Sequence, residues 1–118
     1  RGKMKIFCDS STKEACYVIE GQKTVIIPYP RPVTVNVGEY KAVQFALWDA
    51  MNRKRIKPIE VYTDSLLVVN QVNGSYKCRK PHLLPLLTKT KELLEEAQAI
   101  LMWIPREENI AGRVLGNR

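Results

Sequence analysis

The sequence is short of histidine and cysteine and has no long hydrophobic run, and each shortage argues against a class of protein. Its one histidine, His82, argues against a zinc site built on imidazoles. Its three cysteines, Cys8, Cys16 and Cys78, show no C-x-x-C spacing and no secretory signal precedes them. We therefore expect buried thiols in a reducing compartment, the cytoplasm. No apolar run approaches the ~20 residues of a membrane span, so we expect no membrane partner.

Acidic residues are also scarce relative to basic ones. Nineteen Lys and Arg against twelve Asp and Glu give a net charge of +7 and a pI near 9.5. A small domain this basic favours a polyanionic partner, nucleic acid first, although charge that serves only solubility is the alternative. The positive residues cluster, and an aromatic residue adjoins the second cluster: Arg53-Lys54-Arg55 with Lys57, and Lys77 with Arg79-Lys80 beside Tyr76.

The length of 118 residues, with 45% apolar and 26% charged residues, predicts one domain over residues 1–118. The chain begins at Arg1 rather than Met, so we expect either a domain excised from a longer chain or added leader residues. We also expect a monomer or a domain of a larger protein. Alternation and helical periodicity predict its elements. The strands are expected at 4–9, 15–19, 24–27, 59–63 and 99–104, and the helices from about 38 to 51, 66 to 72, 82 to 97 and after 110. The continuous apolar run of the last strand predicts burial on both of its faces.

Two of these strands end on aspartates, Asp9 and Asp64. If the first and fourth strands are parallel neighbours, ~4.8 Å apart, the two carboxylates meet at one sheet edge. Glu39, in the first turn of the connecting helix, is expected at the same point. The alternatives are that Asp64 only caps the next helix and that Glu39 only complements the helix dipole. Hard oxygen ligands without His or Cys select Mg²⁺ or Mn²⁺.

Three segments carry a resemblance to a known family. They are Val61-Tyr62-Thr63-Asp64-Ser65 with the helix that follows, Asn36-Val37-Gly38-Glu39-Tyr40-Lys41-Ala42, and Pro105-Arg106-Glu107-Glu108-Asn109. Together they resemble the type-1 ribonuclease H family, in its compact bacterial and archaeal branch and its reverse-transcriptase-like domains. The resemblance implies an α/β ribonuclease H-like fold, a mixed five-stranded sheet in order 3-2-1-4-5 with helices on both faces.

The resemblance also implies an activity: hydrolysis of the RNA strand of RNA/DNA hybrids with two Mg²⁺ ions, for which Mn²⁺ is a possible substitute. It makes Asp9, Glu39 and Asp64 the catalytic and metal-binding residues, and it implies no small-molecule cofactor. The residues expected to bind the hybrid are Ser10, Ser11, Thr34, Asn36, Ser65, Lys77, Arg79, Lys80, Arg106 and Arg113.

The chain departs from the family pattern in three places. Ser10 and Ser11 follow Asp9 where the family often has a glycine-rich loop. Arg113, or with a one-residue slip Gly112, stands at the family's fourth acidic position. His82 precedes a helix and does not occupy the place of the family's catalytic histidine. These departures keep two alternatives open: a nucleic-acid-binding module without efficient turnover, and another nuclease of the same fold, such as a resolvase or integrase core.

Overall fold

The computed structural model describes residues 2–53 and 58–116, which form five strands, four α-helices and one short 3₁₀ helix. The strands are β1 Met4–Ser10, β2 Glu14–Ile19, β3 Thr24–Pro28, β4 Ile59–Thr63 and β5 Ala99–Trp103. The helices are α1 Val35–Asn52, α2 Leu66–Asn73, α3 Leu84–Ala97 and α4 Ile110–Val114, and the 3₁₀ turn is Arg106–Glu108.

The five strands form one sheet in the order β3-β2-β1-β4-β5, as predicted. β1, β2 and β3 are joined by short turns and pair antiparallel. β4 lies parallel to β1 on one side and to β5 on the other. The predicted neighbourhood of β1 and β4 is therefore confirmed, and the carboxyl ends of these two strands meet at one edge of the sheet.

Alternation along the central strands divides their side chains between two faces. Ile6 and Cys8 of β1 join the main core beneath α1, whereas Phe7 belongs to a second cluster on the other face. That second cluster is centred on Cys16, Val18 and the α4 residue Ala111. Helices thus cover both faces, and α4 packs against β1 and β2 on its face.

The predicted burial of β5 on both faces is wrong. Leu101 is buried in the main core, but Ile100 is 54% exposed and Met102 and Trp103 are also exposed. β5 is an edge strand, and five-residue α4 lies over β1 and β2 rather than over β5. An apolar run marks a strand but does not say whether a second layer covers it.

Helix α1 begins three residues before the predicted start near Gly38. The Thr34 side chain caps it by accepting from the Val37 amide at 3.3 Å. Glu39 is consequently the fifth residue of the helix, so its predicted place in the first turn is wrong. The first-turn dipole therefore does not explain this glutamate, because that effect fades within one turn.

The later helices begin and end as their terminal residues indicate. Ser65, not Asp64, caps α2 by accepting from the Val68 amide at 3.2 Å, and Gly74 ends it in the left-handed region with φ 86°. Pro85 lies in the first turn of α3, and exposed His82 precedes that helix. Among the described residues, no helix is long and apolar enough to cross a membrane.

Candidate active site

Three carboxylates converge where β1 and β4 end. Cys8 of β1 is the register partner of Thr63 of β4, so the residues that follow, Asp9 and Asp64, emerge side by side. Glu39 reaches the same point from the second turn of α1. One oxygen atom from each of the three side chains lies within 4.8 Å of the others. The predicted meeting of the three acids at one edge is therefore observed.

The cluster lies in a cleft of about 400 Å³. Asp9 is 1% exposed and Glu39 is 6% exposed, while Asp64 is half-buried at the mouth. The cleft is lined by Asp9, Ser10, Ser11, Thr12, Val35, Glu39, Asp64 and Arg106. The carboxylates in the cleft could hold cations, and the exposed Arg106 at its edge could contact a phosphate group bound to those cations.

Asn109, fully buried, ties the C-terminal segment to this cluster. Its side-chain amide donates to the Cys8 carbonyl at 2.8 Å and to Asp64 Oδ2 at 3.1 Å. Its Oδ1 accepts from the Ala111 amide at 3.2 Å and caps α4. One side chain therefore holds β1, orients the Asp64 carboxylate and starts the last helix.

Ser10, Tyr29 and Gly38 fasten the other wall of the cleft. The Ser10 and Tyr29 hydroxyl oxygens lie 2.7 Å apart, and the Tyr29 hydroxyl also lies 3.2 Å from the Gly38 carbonyl, to which it donates. Gly38 is where α1 touches the end of β1, since a Cβ added there would lie 2.3 Å from Ser10 Oγ. These contacts set the distance between α1, which carries Glu39, and β1, which carries Asp9.

The pKa values of neighbouring groups reflect burial and the nearby acids. Burial raises the pKa of Tyr29 to about 12, with the negative charges of Glu39 and Asp9 adding to the effect. Burial likewise raises the pKa of the Cys8 thiol well above its usual value, again with Glu39 contributing. Both groups are neutral at pH 7, so the cluster contains carboxylates and no thiolate.

The donor set fits hard divalent cations. Three carboxylate groups this close repel one another, and a bound cation relieves that repulsion. Oxygen ligands without imidazole or thiolate suit Mg²⁺ or Mn²⁺ rather than Zn²⁺. The residues that would hold the ions are Asp9, Glu39 and Asp64.

Substitution of Gly38 by alanine tests the close approach of α1 to β1. Alanine normally stabilises a helix relative to glycine by about 1 kcal/mol. Here its Cβ meets the Ser10 side chain, so we expect Gly38→Ala to lower the free energy of unfolding by about 1–3 kcal/mol. Urea unfolding measures the change. Ser10→Gly in the same chain should recover part of the loss, and a Gly38→Ala protein more stable than the wild type would contradict the contact.

The hydroxyl residues predicted to bind the hybrid have structural partners. Ser11 Oγ accepts from the Lys13 and Glu14 amides, which closes the turn after β1, and Thr34 and Ser65 cap their helices. Asn36 is exposed in the first turn of α1. Ser10 and Ser11 line the cleft. A role of these residues in substrate binding stays a prediction.

The predicted basic contacts lie on the surface. Lys77, Arg79 and Lys80 are exposed in the segment between α2 and α3, and exposed Arg106 lines the cleft. Of the first basic cluster, Arg53 pairs with Asp49 at 2.8 Å. The other members, Lys54, Arg55 and Lys57, lie outside the described residues.

Arg113 of α4 contacts the 3₁₀ turn. Its guanidinium donates to the Glu107 carbonyl at 3.0 Å, and its side chain is exposed. Glu107 and Glu108 lie on the surface in the 3₁₀ turn. Arg113 is not among the described residues that line the cleft, and an Arg113 contact with phosphate stays a prediction.

Two residues that hold the cleft together, Asn109 and Tyr29, were not predicted from the sequence, although Asn109 has a local signal. Asn109 precedes Ile110-Ala111, and an asparagine before an apolar segment is typical of a helix cap. Its contact with Asp64, 45 residues away in the chain, has no local signal. Tyr29 stands between Pro28 and Pro30, and no local pattern indicates its contacts with Ser10 and Gly38.

A five-stranded mixed sheet whose two central parallel strands end in carboxylates is the ribonuclease H-like class of α/β fold. A family model described as "Reverse transcriptase-like" matches residues 8–118. The chain therefore belongs to the reverse transcriptase-like family, and the resemblance read from its motifs is confirmed.

Solved structures agree on the fold. RNase H1 from the halophilic archaeon Halobacterium salinarum NRC-1 superposes with a TM-score of 0.83 at 24% identity, covering 97% of this chain and 94% of that one. LC11-RNase H1, isolated from compost, has a TM-score of 0.79 at 28% identity, with 97% and 93% covered. Another structure of LC11-RNase H1, in complex with an RNA/DNA hybrid, has a TM-score of 0.73 at 25% identity, with 92% and 88% covered.

A relative by sequence is the bifunctional protein Rv2228c of Mycobacterium tuberculosis, 34% identical over 85 residues. The match covers 71% of this chain and only 23% of that protein. The N-terminal RNase H domain of the same protein has a TM-score of 0.75 at 28% identity, covering 96% of this chain and 90% of that one. In that protein, the matching fold is one domain of a larger chain.

Proposed function

We propose that this domain is a divalent-metal-dependent endonuclease that hydrolyses the RNA strand of RNA/DNA hybrids. The observation that carries the proposal is the cluster of Asp9, Glu39 and Asp64, whose oxygen atoms lie within 4.8 Å of one another at the ends of two parallel strands. Family membership and a structural neighbour in complex with an RNA/DNA hybrid support it.

In this proposal the three carboxylates hold two Mg²⁺ ions, with Mn²⁺ as a substitute. Asp9, Glu39 and Asp64 would hold the ions, which would supply an activated water and charge stabilisation for the leaving oxygen of the scissile phosphate. The chain contributes the geometry: β1 and β4 fix Asp9 and Asp64, and α1 brings Glu39. Asn109 orients the Asp64 carboxylate, because its amide donates to Oδ2.

The surface around the cleft would position the hybrid without reading its sequence. Arg106 at the rim and the exposed Lys77, Arg79 and Lys80 are positive groups that can contact backbone phosphates. Thr34 and Asn36 lie at the start of α1, where polar groups can contact the 2′-hydroxyls that distinguish RNA from DNA. Ser10, Ser11, Ser65 and Arg113 complete the proposed set.

A second candidate is a nucleic-acid-binding module without efficient turnover. It is favoured by the arginine that stands where the family pattern has a fourth acid, since Arg113 cannot be a metal ligand. Against it stands the retained cluster of acids, which without a cation would oppose the binding of a polyanion.

One assay separates the candidates. A hybrid labelled on each strand in turn, a DNA duplex and an RNA duplex are incubated with the protein and Mg²⁺, then Mn²⁺. We expect cleavage of only the RNA strand of the hybrid, leaving 3′-hydroxyl and 5′-phosphate ends. Binding of the hybrid with no cleavage in either metal would support the second candidate. Cleavage of the DNA duplex, or of branched DNA added as a further substrate, would point to another nuclease of this fold.

A further inference from the structure

A second concave surface lies beside the catalytic cleft, between the end of β3 and the outer side of α1. Its volume is about 400 Å³. We call it the α1 groove, and its main lining residues are Ile27, Tyr29, Arg31, Val33, Lys41 and Phe45. Carbon atoms form most of its wall, so it suits a flat apolar group rather than a phosphate alone.

Aromatic rings line the groove and extend beyond it. Tyr29 and Phe45 are half-buried in its wall. Trp48, one turn further along α1, has its ring centroid 6.2 Å from that of Phe45 and is 42% exposed. An exposed tryptophan beside a partly exposed phenylalanine is a surface on which nucleobases stack, since every base has a π-face.

The charges at the groove select a polyanion. Arg31 is exposed at one side and Lys41 is half-buried at the other. Neither Asp nor Glu occurs among the described residues that line the groove. Two cations around aromatic rings form the combination that holds single-stranded nucleic acid, in which phosphates meet the cations and bases meet the rings.

The groove adjoins the catalytic cleft. Tyr29 belongs to its wall, and the hydroxyl of the same residue contacts Ser10, which lines the cleft. Val35 lines the cleft at the start of α1, while Lys41 and Phe45 follow on the same helix. At a rise of 1.5 Å per residue, they lie about 9 and 15 Å further along its axis. A single-stranded extension of the strand in the cleft could therefore reach the groove.

We propose that the α1 groove binds a single-stranded extension of the RNA strand next to the hybrid, with bases stacked on Phe45 and Trp48 and phosphates held by Arg31 and Lys41. This inference rests on the proposed function for the identity of the strand in the cleft. The groove's capacity for single-stranded nucleic acid does not depend on cleavage and can be measured separately.

The two tryptophans of the chain provide a matched test, because Trp103 is 47% exposed on β5 and lies outside the groove. A short oligo(U) is titrated without divalent cations into Trp103→Phe, which leaves Trp48 as the only tryptophan, and into Trp48→Phe. We expect the oligonucleotide to quench the fluorescence of the first variant and not of the second. Equal quenching in both variants, or none in the first, would overturn the proposal that the α1 groove binds single-stranded RNA.

A second measurement compares affinities for a blunt hybrid and for hybrids whose RNA strand continues as a single strand at the 3′ or the 5′ end. One stacked base predicts at least about fivefold tighter binding of one extended hybrid. Trp48→Ala should bring this ratio close to one, whereas Trp103→Ala should preserve it. An unchanged ratio in Trp48→Ala would contradict the proposal.

These outcomes separate the groove from the proposed activity. If oligo(U) quenches Trp48 but the hybrid is not cleaved, the α1 groove still binds single-stranded RNA and the proposed nuclease activity is wrong. If the blunt hybrid is cleaved but an RNA extension does not change the affinity, the nuclease activity stands and the proposed role of the α1 groove is wrong. If a proline-rich peptide quenches Trp48 and oligo(U) does not, the groove is a protein-binding site and the proposal is wrong.

Discussion

Asp64→Asn is expected to slow cleavage of the RNA strand by about 10³-fold at saturating Mg²⁺. The change keeps the shape of the side chain and an oxygen that can accept from Asn109, but it removes one charge from the three acids within 4.8 Å. Lewis-acid stabilisation of a phosphoryl transition state is worth several kcal/mol, and losing about 4 kcal/mol corresponds to that factor. Single-turnover cleavage of a labelled hybrid measures it.

The fold should survive this change. Removing one of three mutually repelling carboxylates leaves the free energy of unfolding, measured without divalent cations, equal to or above that of the wild type. Glu95→Gln is the matched control, because it removes an exposed carboxylate on α3 and should cleave at the wild-type rate. An Asp64→Asn protein that cleaves as fast as the control would reject the catalytic role of the cluster.

Asn109→Ala is expected to damage stability and activity together. It removes the amide that donates to the Cys8 carbonyl and the oxygen that caps α4. The loss of both hydrogen bonds should lower the free energy of unfolding by about 2–4 kcal/mol. The substitution also removes the amide that donates to Asp64 Oδ2 and orients this carboxylate. Loss of a residue that orients a metal ligand typically costs about 10–100-fold in activity or metal affinity. Chemical denaturation measures the change in the free energy of unfolding, and Mg²⁺-dependent cleavage of the hybrid measures the change in activity.

Two further variants separate the roles of Asn109. Asn109→Asp keeps an oxygen that can cap α4 but loses the amide that donates to Asp64, so its cleavage should fall while the cap is retained. Thr34→Ala removes only the cap of α1 and should cost about 1 kcal/mol of stability. If Asn109→Ala were no less stable than Thr34→Ala, the buried amide would contribute little.

Local pattern was sufficient for the parts of the fold that depend on short-range rules. The Glu20-Gly21 turn and the strand pattern predict the β1-β2-β3 meander, and the strand-helix-strand order then places β4 parallel to one strand of that meander. The family resemblance, and not the local pattern, implied that this strand is β1. Asp9 and Asp64 follow from that placement, because the register pairs Cys8 with Thr63 immediately before them. The start of α1 was missed since Thr34 and Val35 follow prolines and resemble loop.

The features that the sequence did not predict depend on contacts between residues that are far apart in the chain. The exposed face of β5 reflects how little of the sheet α4 covers, which no property of Ala99–Trp103 encodes. Gly38 is needed because Ser10 lies against it, and Asn109 reaches Cys8, 101 residues away in the chain. A sequence pattern identifies the acids of the cluster, but not the side chains that hold them in place.

The most direct test of the central claim is cation binding at the three carboxylates. ¹H–¹⁵N spectra of the labelled protein are recorded during titration with Mg²⁺ and then with trace Mn²⁺, whose unpaired electrons broaden nearby signals. The cluster predicts shifts and broadening centred on Asp9, Glu39 and Asp64, extending to Asn109 and strongly weakened in Asp64→Asn. Broadening centred on the exposed acids of α3 instead, with no response at the ends of β1 and β4, would contradict a metal-dependent active site.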